Sequence, residues 1–324
     1  MGVCLKAPLA VHPHLLPSDK LVLRHLVRDG VLPKDEDDMA ARLDATSDPT
    51  SEAFEPTVVV SLDYADLQAR LPAWFDRYVL QPYIAVARRA ARHDTDVVMV
   101  THLLVYLTCS VPSAVTLFLR FSWVHAVLHA LMQLHLAGTY TLMMHQHIHQ
   151  RGVLSRRLWL IDTVFPFMTD PLMGHTWRSY FHHHVKHHHV EGNGPDDLSS
   201  TLRFQRDSCM DFAAYVARFY FLIWLDLPLY FIRKRKYRLA LSAFGWEQAH
   251  LLAVALLWRL VDARATFMVL VLPVLLLRAG LMWGNWGQHC FVDADEPGSD
   301  YRSSITLIDT VRVPPCSVRV PTCP

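Results

Sequence analysis

The chain has little charge and no organised cysteine pattern. Only 19% of its 324 residues are charged, and the formal net charge is +1. None of the six cysteines forms a CxxC pair, which argues against a disulfide framework or a zinc ribbon. The balanced charge gives no support for nucleic-acid binding. Hydrophobic residues make up 52% of the chain, a composition that favours a membrane protein over a soluble domain.

The first 60 residues lack the marks of a targeting segment. No apolar stretch follows a basic start, and the acidic run at 35–38 is atypical of a transit peptide. Met1 and Gly2 begin like a myristoylation site, but Lys6 stands where that motif has Ser or Thr. Residues 1–60 are rich in Pro, Asp and Thr, so we expect a flexible, water-exposed arm. Membrane insertion is then expected to rely on internal segments.

Residues 61–96 have the periodicity of an amphipathic helix. Ser61 or Asp63 could cap it, and Pro72 and Pro82 are expected to bend or divide it. The apolar positions recur at steps of three and four, at Leu67, Leu71, Trp74, Phe75, Tyr78 and Val79. We expect this face to pack against the protein. The alternative is an interfacial helix with Arg88, Arg89 and Arg92 near lipid head groups.

Four segments are long and apolar enough to cross a hydrocarbon layer of ~30 Å. They are Val97–Leu119, Trp123–Met144, Ala240–Val261 and Ala265–Trp286. Arginines flank the first pair on both sides, so the positive-inside rule places both ends of that hairpin in the cytosol. The prediction is an all-α membrane protein with two transmembrane hairpins, within a membrane domain at 97–309.

Two further apolar segments are predicted not to span. Phe212–Ile232 contains Arg218, Asp226 and Pro228 and precedes a basic run at 233–238. A crossing would leave that run on the lumenal side, so we predict a cytosol-side or re-entrant segment. Leu158–Gly174 contains two Asp and two Pro residues and is predicted to be interfacial. All the histidine clusters then lie on one side, in a helical cytosolic cap.

The first histidine cluster is HxxxH at the end of the second apolar segment. His145 and His149 are four residues apart and share a helix face, so they can grip one metal ion. His147 points about 200° away at ~100° per residue, which makes it a bystander. Gln146 occupies the place of the general-base Glu of an HExxH protease and excludes that class. Taken alone, HxxxH is more often a pair of interfacial histidines.

The second cluster is HHxxHH in a tract with six histidines. On an α-helix, the predicted ligands lie within an arc of ~140°, whereas His182 and His189 fall outside it. The predicted ligands are His183, His184, His187 and His188. A low-complexity tract is the alternative. Asp196 or Asp197 could cap the next helix, or orient an imidazole.

The third cluster is NxxxH, where Asn285 and His289 are again four residues apart. It lies at the cytosolic end of the last apolar segment and therefore completes a third wall of the predicted site. No histidine follows His289. The sequence contains no Gly-rich phosphate loop, GxSxG elbow or GxGxxG fingerprint, so any chemistry is expected to come from histidine.

In their order and spacing, the HxxxH, HHxxHH and NxxxH clusters resemble the membrane fatty acid desaturases, over roughly residues 70–309. The resemblance implies transmembrane hairpins below a cytosolic cap that holds two irons, and the use of O2 to introduce a double bond into an acyl chain. It further implies an acyl-CoA or acyl-lipid substrate and an integral protein of the endoplasmic reticulum with its metal site facing the cytosol. Without an HPGG haem signature, the electron donor would be a separate cytochrome b5 or ferredoxin.

By matching position, the resemblance implies these iron ligands: His145, His149, His183, His184, His187, His188, Asn285 and His289. Neutral imidazoles suit iron and leave the metal charge available for oxygen, which agrees with that assignment. A hydroxylase on the same scaffold and a non-catalytic metal-binding membrane relative remain alternatives.

The sequence departs from the family at its third box, a further HxxHH downstream of the NxxxH site. After Asp309 the chain continues into an atypical tail at 310–324 without histidine. The departure predicts that at least one iron is short of ligands, and an inactive form of the enzyme is therefore an alternative to an active one. An altered reading frame, a retained intron or a truncated product would each explain the tail.

Overall fold

The computed structural model describes Ala45, residues 48–52 and residues 54–289. Most of the predicted arm, the region 290–309 and the atypical tail at 310–324 lie outside the described residues. The described part of the chain is mostly helical, and it forms two compact units that divide between Pro82 and Tyr83.

The first unit contains a short hairpin followed by helical segments. Strand β1, Thr57–Val59, pairs antiparallel with β2, Leu62–Asp63. Helix α1, Tyr64–Arg70, has Asp63 as its N-cap and ends before Pro72, whose extended backbone separates it from Ala73–Phe75. Pro72 therefore divides the predicted amphipathic helix, because its ring and missing N–H oppose continuation of the preceding helix.

The described residues form ten numbered helices, α1 to α10, and shorter helical turns connect them. After α1 they are α2 Gln81–Ala90, α3 Val97–Val105, α4 Val111–Leu119, α5 Trp123–Gln150, α6 Trp159–Leu172, α7 Cys209–Arg233, α8 Tyr237–Leu260, α9 Ala263–Thr266 and α10 Leu272–Gln288. The shorter turns are a 3₁₀ turn at Arg156–Leu158, an α turn at His189–Glu191, and π-helical segments at Asp76–Leu80, Tyr106–Ser110, Phe181–His188 and Phe267–Val271.

Three of the four π-helical segments end two residues before a proline. These prolines are Pro82, Pro112 and Pro273. A proline inside a helix has no N–H for the usual bond and crowds the preceding turn, so the helix accommodates it by widening to the i→i+5 pattern. Phe181–His188 has no proline behind it. Its π-helical geometry therefore needs another cause.

Four described helical segments are long and apolar enough to cross a membrane. They are Val97–Leu119, Cys209–Arg233, Tyr237–Leu260 and Ala263–Gln288. Three of them coincide with predicted spans. The fourth is α7, which the sequence prediction had excluded on the grounds of its charges. The most apolar 18-residue stretch of this helix has a mean hydropathy of 1.4, which meets the requirement in spite of Arg218 and Asp226.

Helix α5, the predicted second span, is not among these four. Its second half carries polar side chains that lower its average hydropathy, including Thr139, Thr141 and three histidines. Its first half nevertheless leaves large apolar side chains exposed. These are Trp123, Val124, Val127, Leu128, Leu131 and Leu134. An exposed apolar belt of this kind marks a surface that lipid can cover.

Helices α5 and α6 are joined by buried polar contacts. The Tyr140 hydroxyl donates to Asp170 Oδ1 at 2.6 Å, and Gln133 Nε2 donates to the Leu172 carbonyl at 2.9 Å. A hydrophobic cluster that includes Leu117, Ala126 and Val269 lies beside them. Because buried polar groups need partners, these bonds fix the rotation of α5 about its axis. They thereby orient the histidines at its C-terminal end.

Candidate metal centre

Two histidines stand together at the C-terminal end of α5. His145 and His149 are one helical turn apart, and their ring centroids are separated by 4.6 Å. The helix ends at Gln150, because Arg151 adopts a left-handed backbone with φ of 60° and Gly152 follows with φ of 129°. The i, i+4 spacing therefore places both rings on one face, as the sequence predicted.

His184 from the second tract joins this pair. Its ring centroid is 4.6 Å from that of His145 and 5.4 Å from that of His149. One ring nitrogen from each residue lies within 4.8 Å of the other two. Metal–imidazole bonds are about 2.0–2.1 Å long, so two ligand nitrogens on one ion are at most about 4.2 Å apart. Small rotations of these side chains would let all three bind one ion; we name them the first histidine group.

The backbone that carries the second tract is π-helical from Phe181 to His188. It follows Arg178, whose φ of 56° is left-handed. In an i→i+5 helix, residues five apart lie close together. His183 and His188 accordingly have nearly parallel rings, with an interplanar angle of 7° and centroids 6.1 Å apart.

The same geometry corrects the prediction that His189 falls outside the arc of the candidate ligands. His189 follows His184 by five residues, and their ring centroids are 4.3 Å apart. The prediction assumed ~100° per residue, which would turn His189 far from His184. It was wrong because the preceding segment is π-helical. His189 lies against the first histidine group, with its ring 4.9 Å from that of His149.

Four other predicted ligands form a second histidine group: His183, His187, His188 and His289. The His183 ring centroid lies 5.3 Å from that of His187, and the His188 centroid lies 6.4 Å from that of His289. Both His187 and His289 are buried. Within the described part of the chain, His183 Nε2 and His187 Nδ1 are buried without a hydrogen-bond partner. Buried polar atoms are normally paired, so these two nitrogens fit the role of metal ligands.

Burial keeps one histidine of each group, His183 and His184, neutral. It lowers the pKa of His183 to about 3, with smaller contributions from His187 and His188. It also lowers the pKa of His184 to about 2, with further effects of His145 and His189. A neutral imidazole offers a free electron pair to a metal, whereas a protonated one does not. At neutral pH, both residues are therefore ready to bind an ion.

Asp197 supports the second histidine group from the loop that precedes the next long helix. Its fully buried carboxylate accepts hydrogen bonds from His188 Nδ1 at 2.6 Å and from the backbone N–H of Ser199 at 2.8 Å and of Asn193 at 3.1 Å. Burial disfavours its charge, but the hydrogen bond and charge of His188 and the bond from Ser199 outweigh it, so the Asp197 pKa lies below its usual value. Ser208, not either aspartate, caps the next helix. Of the two predicted roles, capping a helix and orienting an imidazole, the second is the one that fits Asp197.

Asn285 is held by contacts away from the histidine rings. Its Nδ2 donates to the Ser199 carbonyl at 2.9 Å and to the Tyr215 hydroxyl at 2.7 Å. These bonds fasten α10 to α7 and to the Asp197 loop. These contacts orient the Asn285 side chain through its amide nitrogen, whereas a metal would bind its Oδ1, so the predicted role of Asn285 as a ligand stays a prediction.

Two predicted bystanders are directed elsewhere, as expected. His147 Nε2 lies 3.0 Å from the Asp162 carbonyl. His182 Nδ1 lies 2.8 Å from the Arg178 carbonyl, and its Nε2 lies 3.0 Å from Ser242 Oγ. Both rings therefore serve packing between helices.

Sequence reasoning overlooked Tyr180. Its hydroxyl lies 3.2 Å from His145 Nδ1, and its ring centroid is 5.0 Å from that of His184. Burial raises its pKa to about 12, so the phenol stays protonated and can donate to His145. Its place four residues before His184 was a signal in the sequence, because i, i+4 residues share a helix face. Tyr180 thus fixes the orientation of a candidate ligand.

Comparison of the chain with models of known protein families, with curated proteins and with solved structures finds no match. The desaturase resemblance therefore stays a prediction from the histidine spacing. The function proposed for the chain depends on the geometry of the two histidine groups.

Proposed function

We propose that the chain is a membrane-bound oxidoreductase of the fatty acid desaturase type, with two irons held by the first and second histidine groups. The proposal rests mainly on the proximity of the two histidine groups, which meet at one short segment of the chain. His184 of the first group and His188 of the second have ring centroids 5.7 Å apart. Two-metal sites hold their ions about 3.5–4 Å apart, a spacing that neighbouring ligand sets of this kind favour.

Iron is the proposed metal because of the donor set. Imidazole suits Zn, Cu, Fe and Ni, and neutral ligands leave the ion with its full positive charge. When bound, iron would supply the activation of O2 needed to remove hydrogens from an unactivated methylene chain. The protein's own part is to hold the rings: Tyr180 orients His145, and Asp197 orients His188.

Cavities beside the histidines support an acyl substrate. One cavity of ≈ 540 Å³ is lined by His149 and by aromatic side chains that include Phe167, Trp177, Tyr180 and Phe181. A second, of ≈ 70 Å³, reaches His183 between Phe219, Ile223 and Leu227. Ligand sites in proteins are about 300–1,000 Å³ in size, so the first cavity is large enough for such a ligand. Its wall also carries Arg151, Arg178 and Lys186, which suit a polar head group beside an apolar chain. The substrate class proposed is an acyl-CoA or acyl-lipid.

The contacts of α7 favour the predicted cytosolic cap. Near its start, Tyr215 donates to the Ser199 carbonyl, and at its end Lys234 pairs with Asp196 at 2.8 Å. These two residues are separated by about 28 Å of helix at ~1.5 Å per residue. Between them, Phe219 packs on His183 and Tyr230 packs on His187. A helix that follows the histidine site along its length is better suited to lying along the bilayer surface than to crossing it.

The orientation of α7 along the bilayer surface also agrees with the distribution of basic residues. The basic run at 233–238 would then face the cytosol with the arginines that flank the first hairpin, in accord with the positive-inside rule. An endoplasmic reticulum location and a separate cytochrome b5 or ferredoxin as electron donor complete the proposed function.

Metal analysis of the purified protein and analysis of its lipid products test the proposed function. The chain purified in detergent and reconstituted anaerobically with ferrous iron is expected to hold about two irons, and cells expressing it are expected to gain unsaturated acyl chains. Hydroxylated products would instead assign a hydroxylase. Zinc, or no metal at all, would refute the proposed oxidoreductase.

A non-catalytic metal-binding role is the second candidate. The first histidine group supports it, because three ring nitrogens that lie within 4.8 Å of one another can hold an ion whether or not the protein has an oxygen-dependent activity. Iron bound at both groups without any change in the lipids of the expressing cell would support this alternative.

A further inference from the structure

His189 faces His184 in the manner of a second ligand on one ion. Their Nε2 atoms are 2.9 Å apart. Two imidazole nitrogens at right angles on an ion, with bonds of about 2.1 Å, are separated by about 3.0 Å. Without a metal, one of the two nitrogens must carry a proton to bridge this gap. An ion can take the place of that proton and leave the rings almost where they are.

The other members of the first histidine group also lie beside the His189 ring. The His189 ring lies 4.9 Å from that of His149 and 6.4 Å from that of His145, and it is nearly perpendicular to both, at 82° and 75°. His189 and His149 are also the exposed members of this set. They would close the solvent side of the ion, whereas His145 and His184 close the inner side.

The π-helical backbone places His189 beside the first histidine group. The π-helical segment Phe181–His188 has no following proline, unlike the other three. Short π-helical segments are rare and are frequent at functional sites. In a regular α-helix, residues 184 and 189 would be turned about 140° apart, at ~100° per residue. The π-helical turn brings both of them to His145 and His149.

We propose that His189 is a ligand of the metal ion bound by the first histidine group, which thereby becomes a four-imidazole site. The inference rests on the proposed metal binding and adds a residue that lies outside the HxxHH pattern. It also accounts for the π-helical turn, because that turn brings a fourth imidazole ring to the site.

Cobalt(II) titration of the full chain in detergent tests the inference. His189→Gln is the test variant; its exposed position makes misfolding a small risk. We expect its affinity for cobalt at the first group to fall at least about tenfold, the lower end of the losses seen when even an outer partner of a ligand is removed. The cobalt absorption spectrum should change as well, because it reports the number and geometry of ligands. X-ray absorption should count one imidazole fewer.

Two matched variants make the result decisive. His147→Gln removes a histidine directed at Asp162 and should match the wild type. His149→Gln removes one of the three residues that define the first histidine group and should weaken cobalt binding. Cobalt at the second histidine group is common to all variants and cancels in difference spectra.

The outcomes distinguish a failure of the proposed role of His189 from a failure of the proposed metal site. Loss in both His149→Gln and His189→Gln supports the four-imidazole site. Loss in His149→Gln alone, with His189→Gln equal to wild type in affinity and spectrum, overturns the role of His189 and leaves the metal site standing. No loss in either variant overturns the metal site itself.

Discussion

Asp197 accepts a 2.6 Å hydrogen bond from Nδ1 of His188, and the carboxylate is fully buried. The bond fixes the proton on Nδ1 and leaves Nε2 of the same ring free to bind a metal. Asp197→Asn removes the charge while keeping the shape of the side chain. We expect it to lower the metal affinity of the second histidine group about 10- to 100-fold, the usual effect of losing a partner that orients a ligand.

Iron titration of the two proteins measures this effect, and Asp196→Asn is the control. Asp196 is exposed and pairs with Lys234 on the surface, so its loss should leave the affinity unchanged. Equal affinities in Asp197→Asn and wild type would mean that His188 is positioned without its carboxylate partner.

His187 is expected to be indispensable for metal at the second group. The residue is fully buried, and its Nδ1 has no hydrogen-bond partner among the described residues. We predict that His187→Ala loses one of two bound irons and all activity, while His147→Ala keeps both irons. Metal analysis after anaerobic reconstitution decides the matter. A full iron complement in folded His187→Ala would refute its assignment as a ligand.

The histidine sites show which part of this geometry a sequence can reveal. His145 and His149 were predictable because α5 is a regular α-helix, so their spacing fixes their common face. His189 was not, because π-helical geometry changes the angle between residues and no proline signals it at Phe181–His188. The π-helical turns before Pro112 and Pro273 had such a signal.

The long-range contacts were equally out of reach. Asp197 meets His188 because the Gly192 turn, with φ of 54°, reverses the chain. Thr176 and Glu247 are hydrogen-bonded across 71 residues, a relationship that no local periodicity describes. Helix positions were therefore predictable from hydropathy, whereas the partners of the ligands depended on the tertiary fold.

Gly174 permits the turn that leads from α6 to the histidine tract. Its φ is 88°, and a Cβ there would meet the Pro273 carbonyl and lie 2.8 Å from Leu277 Cβ. We predict that Gly174→Ala destabilises the fold by at least about 2 kcal/mol through backbone strain and overpacking. Chemical unfolding in detergent measures the loss.

Gly245→Ala provides the matched control for that substitution. Gly245 lies inside α8, and a Cβ there would meet no atom within 4 Å. This variant should be more stable than wild type by about 0.5–1 kcal/mol, because alanine favours a helix. A similar, small effect of both substitutions would contradict the close approach at Gly174.

Glu247 and Arg278 form a partly buried ion pair between α8 and α10. Their side-chain atoms Oε1 and Nη2 are 2.9 Å apart, and the side chains are 9% and 17% exposed. Removing one partner leaves the other charge buried, so Arg278→Met should cost about 3–5 kcal/mol of unfolding free energy. The double variant Glu247→Gln/Arg278→Met should recover much of that loss.

The exposed pair of Arg264 with Asp262 supplies the comparison. Arg264 is 58% exposed, so Arg264→Gln should cost less than about 1 kcal/mol. Equal losses in Arg278→Met and Arg264→Gln would show that the Glu247 charge is stabilised by other groups.

The metal-free protein should lose stability as the pH falls below about 6.5. Burial lowers the pKa of His175 and of His183 to about 3 and that of His184 to about 2, from an ordinary value of 6.5. Between these values, the unfolded chain binds protons that the folded chain does not, so acid favours unfolding. Each histidine contributes up to about 1.4 kcal/mol per pH unit.

Asp170 acts in the opposite direction and supplies the sharpest control. Burial raises its pKa to about 7 from 3.8, so the folded chain keeps a proton that the unfolded chain loses over this range. Its contribution to stability therefore falls as the pH rises from 3.8 to 7. Asp170→Asn removes this term, so the variant should gain more melting temperature over wild type at pH 8 than at pH 5, where the contribution of Asp170 has only partly declined. Melting temperatures of the wild type that stay level from pH 7 to pH 5 would contradict the histidine prediction, and an equal offset of the variant at both pH values would contradict the assignment of Asp170.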